Sequence, residues 1–169
     1  MRYIDFDGVI LDTEDILFYD WRHYPDRYNM PWDSEARYVE RANWVYILEK
    51  SPIINDAINI LKNMDCNDTT ILTKVHSLDN EGVAKINYLR KMGVKQNIIL
   101  VPFNISKCDV VRAYGNILVD DSIRNLVEWE SFGGYPMFFD RKGNNVDCWD
   151  EYNYKNYQRV FKIDAKKNI

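Results

Sequence analysis

The sequence has 169 residues, of which 46% are hydrophobic and 14% aromatic, a composition that excludes a disordered chain and fits one globular domain with room for a small insertion. Its formal net charge of -4 excludes a protein that coats nucleic acid, because contacts with many phosphates need clustered Lys and Arg side chains. A small anionic ligand is compatible with this charge.

The cysteine pattern and the absence of long apolar runs indicate the environment of the protein. The three cysteines have no CxxC spacing, so they indicate neither a disulfide framework nor a zinc site. No apolar run has the length of a signal peptide or a membrane span. We therefore expect a soluble, cytoplasmic protein that does not act at a membrane.

Short, largely apolar segments with many β-branched residues predict five β-strands. Because these segments do not alternate between polar and apolar residues, they are typical of parallel strands that are buried on both faces. Residues 160–163 are compatible with a further late strand or with a helix. The five predicted strands are residues 2–6, 69–73, 97–101, 116–119 and 136–139.

Apolar residues at helical spacing predict three helices between these strands. Gly93 follows the second helix, and Gly133 with Gly134 follows the third, as glycine often does at helix C-termini. Strands that alternate with helices are the pattern of a doubly wound α/β sheet. The apolar positions are Ile54, Ala57, Ile58 and Leu61 in the first helix, Val83, Ile86, Leu89 and Met92 in the second, and residues within 122–132 in the third.

Residues 14–50 interrupt this alternation, and we assign them to a small helical cap inserted into an α/β core formed by residues 1–13 and 51–169. The cap is rich in aromatic side chains, which form either its own packing or a stacking surface for a ring of the substrate. Asp33 and Ser34 are placed to cap a helix. The apolar positions of that helix are Tyr38, Ala42, Val45 and Tyr46.

Two carboxylates, Asp5 and Asp7, lie one residue apart at the end of the first predicted strand and are followed by Gly8. Ligands of open α/β sheets bind at the carboxyl ends of the strands, so these side chains would stand at the mouth of a site. When the segment is taken alone, a solvated acidic turn explains it better than a functional site does. An EF-hand loop is disfavoured, since its glycine is the sixth residue and its twelfth residue is a glutamate.

Polar side chains also end the later strands. Thr73 ends the second predicted strand, Lys107 follows the third, and Asp120 with Asp121 ends the fourth. In a doubly wound sheet these residues would share the edge at which ligands bind. Their appearance in this order favours a functional site over an acidic turn.

With these residues the chain resembles the phosphatase branch of the haloacid dehalogenase (HAD) superfamily. The resemblance implies an α/β, Rossmann-like parallel sheet of about five strands flanked by helices, with the Asp5 strand in the centre and a helical cap inserted after the first motif. All four motifs of that superfamily are present, as Asp-x-Asp-Gly-x-x-x-Asp-Thr at residues 5–13, Thr73, Lys107 and the pair Asp120-Asp121.

The resemblance also implies the reaction. Asp5 would attack phosphorus to form an aspartyl-phosphate, and Asp7 would act as general acid and base. Members that act as dehalogenases lack the second aspartate, so Asp7 favours an oxygen leaving group. Mg²⁺ and lysine would offset the repulsion between the carboxylate and the phosphate. The implied phosphate ligands are Thr73, Lys74 and Lys107, and the implied Mg²⁺ ligands are Asp5, Asp7 through its backbone carbonyl, Asp121 and, less directly, Asp120.

We therefore expect a Mg²⁺-dependent phosphatase whose partner is a small phosphorylated substrate. The short cap and the Ile-Leu-Val-Asp-Asp segment resemble the 5′(3′)-deoxyribonucleotidase group, which implies a nucleoside monophosphate stacked on cap aromatics. A phosphotransferase or mutase of the same superfamily and a non-catalytic binding member of the fold are the alternatives. The candidate stacking residues are Phe18, Tyr19 and Trp44 or Trp21.

Overall fold

The first strand of the chain lies in the interior of a parallel sheet, between the second and the fourth strands. The computed structural model describes residues 1–19, 23, 33–140 and 158–160. Its strands are β1 (Arg2–Ile4), β2 (Thr69–Val75), β3 (Asn97–Pro102), β4 (Ile117–Asp120), β5 (Tyr135–Phe139) and β6 (Gln158–Val160). They form one 6-stranded sheet in the order β3-β2-β1-β4-β5-β6, and all neighbours are parallel. The five predicted strands and the central place of β1 are confirmed. The late element predicted at residues 160–163 overlaps β6 only at Val160, and residues 161–163 lie outside the described part of the chain.

The register of the central strands explains why distant motifs meet. Ile4 of β1 lies level with Ile71 of β2 and with Val119 of β4. Beyond the strand, the backbone amide of Asp5 donates to the carbonyl of Val119 over 2.9 Å. The residues that directly follow Ile4 and Val119 are both aspartates, so the register brings Asp5 and Asp120 to the same edge of the sheet.

The core helices form in the predicted segments, and an unpredicted π-helical turn (Leu78–Gly82) precedes one of them. The apolar face predicted for that helix is wrong at Val83, which is 48% exposed, whereas Ala84 and Lys85 are buried. Ser77 caps this turn, since its hydroxyl accepts from the backbone amide of Asn80 over 3.1 Å. Such single π-helical turns are rare and are often found at functional sites. The helices are α1 (Glu14–Leu17), α2 (Asp33–Arg41), α3 (Trp44–Lys50), α4 (Ala57–Asn63), α5 (Val83–Lys91), α6 (Lys107–Val110) and α7 (Ile123–Ser131).

Hydrophobic side chains cover both faces of the sheet, as expected for buried parallel strands. Ile4 belongs to a buried cluster that includes residues of α3, α4 and α5. Tyr3 points to the opposite face and packs edge-on against Trp129 of α7, with ring centroids 5.4 Å apart. The result is a three-layer α/β/α arrangement. In the described part of the chain, no helix is both long enough and apolar enough to cross a membrane.

Within the cap, two described helices, α2 and α3, stand where the sequence predicts one. The side chain of Asn43 accepts from the backbone amide of Tyr46 over 3.2 Å and so starts a new helix, α3. Trp44 is buried and donates to the carbonyl of Val39 over 2.8 Å. The prediction that Val45 and Tyr46 lie on the apolar face is wrong, since they are 61% and 55% exposed. The cap boundaries at residues 14–50 stay a prediction, because α3 packs in the same cluster as the core.

Candidate active site

Asp5 is a buried carboxylate at the carboxyl end of β1. Only 8% of the residue is exposed, and its Oδ1 lies 2.9 Å from Nζ of Lys107. Burial raises the pKa of Asp5 to about 7, with the neighbouring Asp120 and Asp7 carboxylates acting in the same direction and Lys107 opposing them. Ionisation of Asp5 therefore lowers the stability of the folded protein. Carboxylates with a strongly raised pKa are common at functional sites.

Lys107 bridges Asp5 and Asp120. Its Nζ donates to Oδ2 of Asp120 over 2.6 Å, and only 2% of its side chain is exposed. Burial opposes the charge, but the carboxylates of Asp120 and Asp5 raise the pKa of Lys107 above its ordinary value. Asp120 also accepts from the backbone amide of Ser122 over 2.8 Å and from the side-chain amide of Asn125 over 3.0 Å. Both carboxylate oxygens of Asp120 are thus bonded to donors of this chain.

Three acidic residues form a cluster that could hold a divalent cation. Asp5, Asp120 and Asp121 each offer a carboxylate oxygen, and these oxygens lie within 4.8 Å of one another. A set of carboxylates suits a hard cation such as Mg²⁺. Gly8 fits this set, because a Cβ atom at its position would overlap Oδ2 of Asp121. Since Asp120 is held by Lys107, Ser122 and Asn125, the geometry favours Asp5 and Asp121 as direct ligands.

Asp7 lies beside this cluster with its carboxylate held at both oxygens. The hydroxyl of Thr13 donates to Oδ1 over 2.7 Å, and Nζ of Lys85 donates to Oδ2 over 2.5 Å. The side chain of Asp7 is 35% exposed and lines the cavity described below. The sequence predicts Asp7 as a site residue, but it does not predict Lys85 as its partner.

Lys85 and Glu81 are the site residues that the sequence analysis missed. They are four residues apart, and this spacing is typical of ion pairs on exposed helix faces. The sequence therefore predicts an exposed pair, whereas the structure buries both side chains. Burial opposes both charges, but Asp7 and Glu81 raise the pKa of Lys85, and hydrogen bonds from His76 and Lys85 contribute to lowering the pKa of Glu81. The pair is therefore ionic.

The predicted phosphate ligands lie on different sides of the site. The Thr73 hydroxyl is buried; it accepts from Lys85 over 3.3 Å and donates to the carbonyl of Lys74 over 3.3 Å. Lys74 is among the described residues that line the cavity, whereas Thr73 and Lys107 are not among them. Of these three residues, Lys107 contacts Asp5, Lys74 lines the same cavity as Asp5, and Thr73 is bonded to Lys85. Their contact with phosphate stays a prediction.

A cavity of about 970 Å³ opens in front of the acidic cluster. Phe18 and Trp44 of the predicted stacking residues line it. Tyr19 is absent from the described lining residues and stacks instead on His23, with ring centroids 4.2 Å apart. Trp21 lies outside the described residues. His76, for which the sequence indicates no partner, also lines the cavity and stacks on Phe103 at 4.0 Å.

The architecture agrees with solved structures of HAD proteins. The sequence matches no protein-family model and no curated protein, so this likeness rests on structure alone. A β-phosphoglucomutase from Clostridium difficile is similar with a TM-score of 0.61 at 14% identity, over 98% of this chain and 92% of that chain. A HAD-superfamily hydrolase of subfamily IA from Geobacter sulfurreducens has a TM-score of 0.56 at 11% identity, over 82% and 88%.

A phosphatase is among the similar structures as well. The D,D-heptose 1,7-bisphosphate phosphatase from Burkholderia thailandensis has a TM-score of 0.52 at 12% identity, over 97% of this chain and 93% of that chain. Because the identities are low, these similarities show the fold. The chain has the HAD fold, and the resemblance inferred from its motifs is confirmed at that level.

Proposed function

We propose that the protein is a Mg²⁺-dependent phosphatase that hydrolyses small phosphomonoesters through an aspartyl-phosphate on Asp5. The observation that carries this proposal is the position of Asp5, which Lys107 contacts on one side while Asp121 and Asp7 border the same cavity. A nucleophilic carboxylate, an acid and base, and a cation site are the parts that phosphoryl transfer through a covalent intermediate needs. The HAD fold supports the same reaction class.

The chain's own residues account for the two chemical steps. In the first step an Asp5 oxygen bonds to phosphorus, the ester P–O bond breaks, and Asp7 donates a proton to the leaving oxygen. In the second step water attacks phosphorus, Asp7 accepts the proton of that water, and Asp5 is regenerated as inorganic phosphate leaves. Lys107 holds Asp5 in place through both steps. Bound Mg²⁺ would supply positive charge that lowers the repulsion between carboxylate and phosphate.

The leaving group that we propose is a nucleoside. The cavity has room for a group larger than phosphate, and the half-buried ring of Phe18 lines its cap side together with the buried side chains of Leu17 and Trp44. Phe18 is therefore the candidate for stacking, since the Trp44 ring already packs over Lys85. Aromatic faces stack on nucleobases without strong base preference. This substrate class is a separate proposal from the phosphatase reaction and has its own outcome in the test.

The experiment is a substrate panel with analysis of the product. Purified protein with Mg²⁺ is expected to release phosphate from nucleoside monophosphates faster than from sugar phosphates, and chelation with EDTA is expected to stop the release. Acid quenching during turnover should trap a phosphoryl group on Asp5. Phosphate release without preference for nucleotides would contradict the nucleoside proposal alone, whereas no release from any ester would contradict the phosphatase. Transfer to an added alcohol instead of water would identify a phosphotransferase.

Paired variants test the division of labour between the two adjacent aspartates. We expect Asp121→Asn to weaken Mg²⁺ binding by more than about 100-fold, because it removes a direct ligand, and Asp120→Asn to weaken it by about 10- to 100-fold or less. Asp120→Asn should instead cost more unfolding free energy, since Lys107 loses a buried counter-ion. Isothermal titration calorimetry and urea denaturation measure the two effects. The opposite order in both measurements would make Asp120 the direct ligand.

A further inference from the structure

A buried lysine next to the acid and base has no part in the reaction described above. Lys85 of α5 is completely buried, although burial of a charge is costly unless it is well paired. An ammonium group has three donors. Nζ of Lys85 lies within hydrogen-bonding distance of four acceptors. These are Oδ2 of Asp7 at 2.5 Å, Oε1 of Glu81 at 2.6 Å, the carbonyl of Lys74 at 3.2 Å and Oγ1 of Thr73 at 3.3 Å. The position of Lys85 is thus fixed by the core.

Glu81 is fixed in turn by the π-helical turn. Only 2% of Glu81 is exposed, and its second oxygen accepts from the backbone amide of His76 over 2.7 Å. The aromatic rings of Phe6 and Trp44 enclose Nζ of Lys85, with ring centroids 5.2 and 5.1 Å away. Glu81 and the two rings therefore hold the ammonium group in one place, between the sheet and α3.

The exposed end of this arrangement is the Asp7 carboxylate. Lys85 and Glu81 are 0% and 3% exposed in their side chains, whereas Asp7 is 35% exposed and faces the cavity. A buried ion pair is weak evidence for stability, because a well-packed apolar replacement is often as stable. A pair that ends on the acid and base has a second consequence, since the orientation of a catalytic carboxylate depends on the groups that hold it.

We propose that the Lys85–Glu81 pair is a positioning element that orients the Asp7 carboxylate toward the leaving oxygen. The inference rests on the proposed function, because it takes Asp7 as the acid and base. Lys85 does not touch the reacting atoms; it acts through Asp7. Thr13 holds the other carboxylate oxygen, so loss of Lys85 leaves Asp7 attached on one side only and able to rotate about its side-chain bonds.

The test compares two esters that differ in their need for an acid. Glycerol 2-phosphate has an alcohol leaving group that must be protonated, whereas the phenolate of 2,4-dinitrophenyl phosphate leaves without a proton. In Lys85→Met, we expect the single-turnover rate of ester cleavage to fall about 10- to 100-fold for glycerol 2-phosphate and to change less than about threefold for the dinitrophenyl ester. Hydrolysis of the aspartyl-phosphate, which also needs Asp7, should slow in the variant with both esters.

Lys91→Met is the matched control. Lys91 lies in the same helix and pairs with a carboxylate, Glu49, over 3.3 Å, but its side chain is 73% exposed. Both single-turnover rates should stay at the wild-type values in this variant. Circular dichroism reports whether Lys85→Met is folded, and the double variant Lys85→Met/Glu81→Gln, which removes both buried charges, replaces it if it is not.

Each outcome decides the inference. A fall in the single-turnover rate that is confined to glycerol 2-phosphate, in a folded Lys85→Met variant, supports positioning of Asp7. A smaller fall in Glu81→Gln that is also confined to glycerol 2-phosphate supports the role of the pair. Equal loss with both esters, or no loss with either, overturns it, since a purely structural role does not depend on the leaving group. If the wild-type protein turns over only nucleoside monophosphates, one of these, whose leaving group is also an alcohol, takes the place of glycerol 2-phosphate, and cleavage of 2,4-dinitrophenyl phosphate is followed by acid-quench trapping on Asp5. If it cleaves no ester of the panel and neither probe ester, the proposed function fails, and the inference about Lys85 fails with it.

Discussion

Asp5→Asn is expected to abolish phosphatase turnover and, in the same protein, to raise the stability of the metal-free fold. Asparagine keeps the size of the side chain but lacks the nucleophilic charge, so no aspartyl-phosphate can form. We expect the rate to fall by about 10⁴-fold or more, as for removal of other covalent nucleophiles. Phosphate release in the presence of Mg²⁺ measures this effect. Substantial remaining activity would contradict the covalent reaction.

The gain in stability follows from the environment of Asp5. Its pKa of about 7 in the folded protein lies above the ordinary value of 3.8, so the folded state binds a proton more tightly than the unfolded state. The contribution of Asp5 to stability therefore falls as the pH rises from about 4 to about 7, and its full cost is present above pH 7. With about 1.4 kcal/mol for each tenfold change in proton affinity, that cost is at most about 4 kcal/mol.

Asparagine removes this cost, while Lys107 keeps Asp120 as a counter-ion. We expect Asp5→Asn to be more stable than the wild type by about 1–4 kcal/mol at about pH 8 in EDTA, and by less at about pH 5. Urea denaturation at both pH values measures the difference. Asp65→Asn is the control, because Asp65 is exposed and asparagine can still accept the bond from the backbone amide of Asn67. A variant that is less stable than the wild type at pH 8 would contradict the strain assigned to Asp5.

The sheet was predictable from sequence because its strands are buried on both faces. Apolar runs such as the one in β4 leave few alternatives, and apolar periodicity locates the flanking helices, although it places the exposed Val83 on a buried face. The cap was less predictable. Its apolar residues do not show that Asn43 starts a new helix, and Val45 and Tyr46 consequently face solvent. From sequence alone, an asparagine such as Asn43 within a helical apolar pattern is compatible both with the cap of a new helix and with the interior of one longer helix.

The site divides in the same way between local and tertiary information. Asp5, Asp7 and Asp121 were predictable as site residues because each directly follows a buried strand or its turn. Lys85 was not, since only the fold places a lysine of α5 against a carboxylate 78 residues earlier in the chain. Gly8 combines local and tertiary information. Its positive φ is a local property that favours glycine, whereas the lack of space for a Cβ atom beside Asp121 is a property of the fold.

Gly8→Ala is expected to disrupt the cation site without changing any of its ligands. Gly8 has a φ of +70°, a backbone conformation that costs an L-residue about 1–2 kcal/mol. The added Cβ would also overlap the Asp121 carboxylate. Because the aspartate side chain is short, this carboxylate can avoid the overlap only by moving out of the cluster that it forms with Asp5 and Asp120. Displacement of Asp121 removes a direct ligand from the cluster. We therefore expect Mg²⁺ affinity to fall more than about 100-fold and turnover to be lost with it.

Gly115→Ala separates the two effects of the substitution at Gly8. Gly115 has a similar φ of +74°, but no atom lies within 4 Å of the Cβ that alanine would add. Both variants should therefore lose about 1–2 kcal/mol in urea denaturation from backbone strain, whereas calorimetry should show impaired Mg²⁺ binding in Gly8→Ala alone. If both variants bound Mg²⁺ as the wild type does, the Asp121 carboxylate could not be a ligand in the position that the structure gives it. A selective loss in Gly8→Ala would instead connect the first glycine of the sequence to the last motif through a single steric contact.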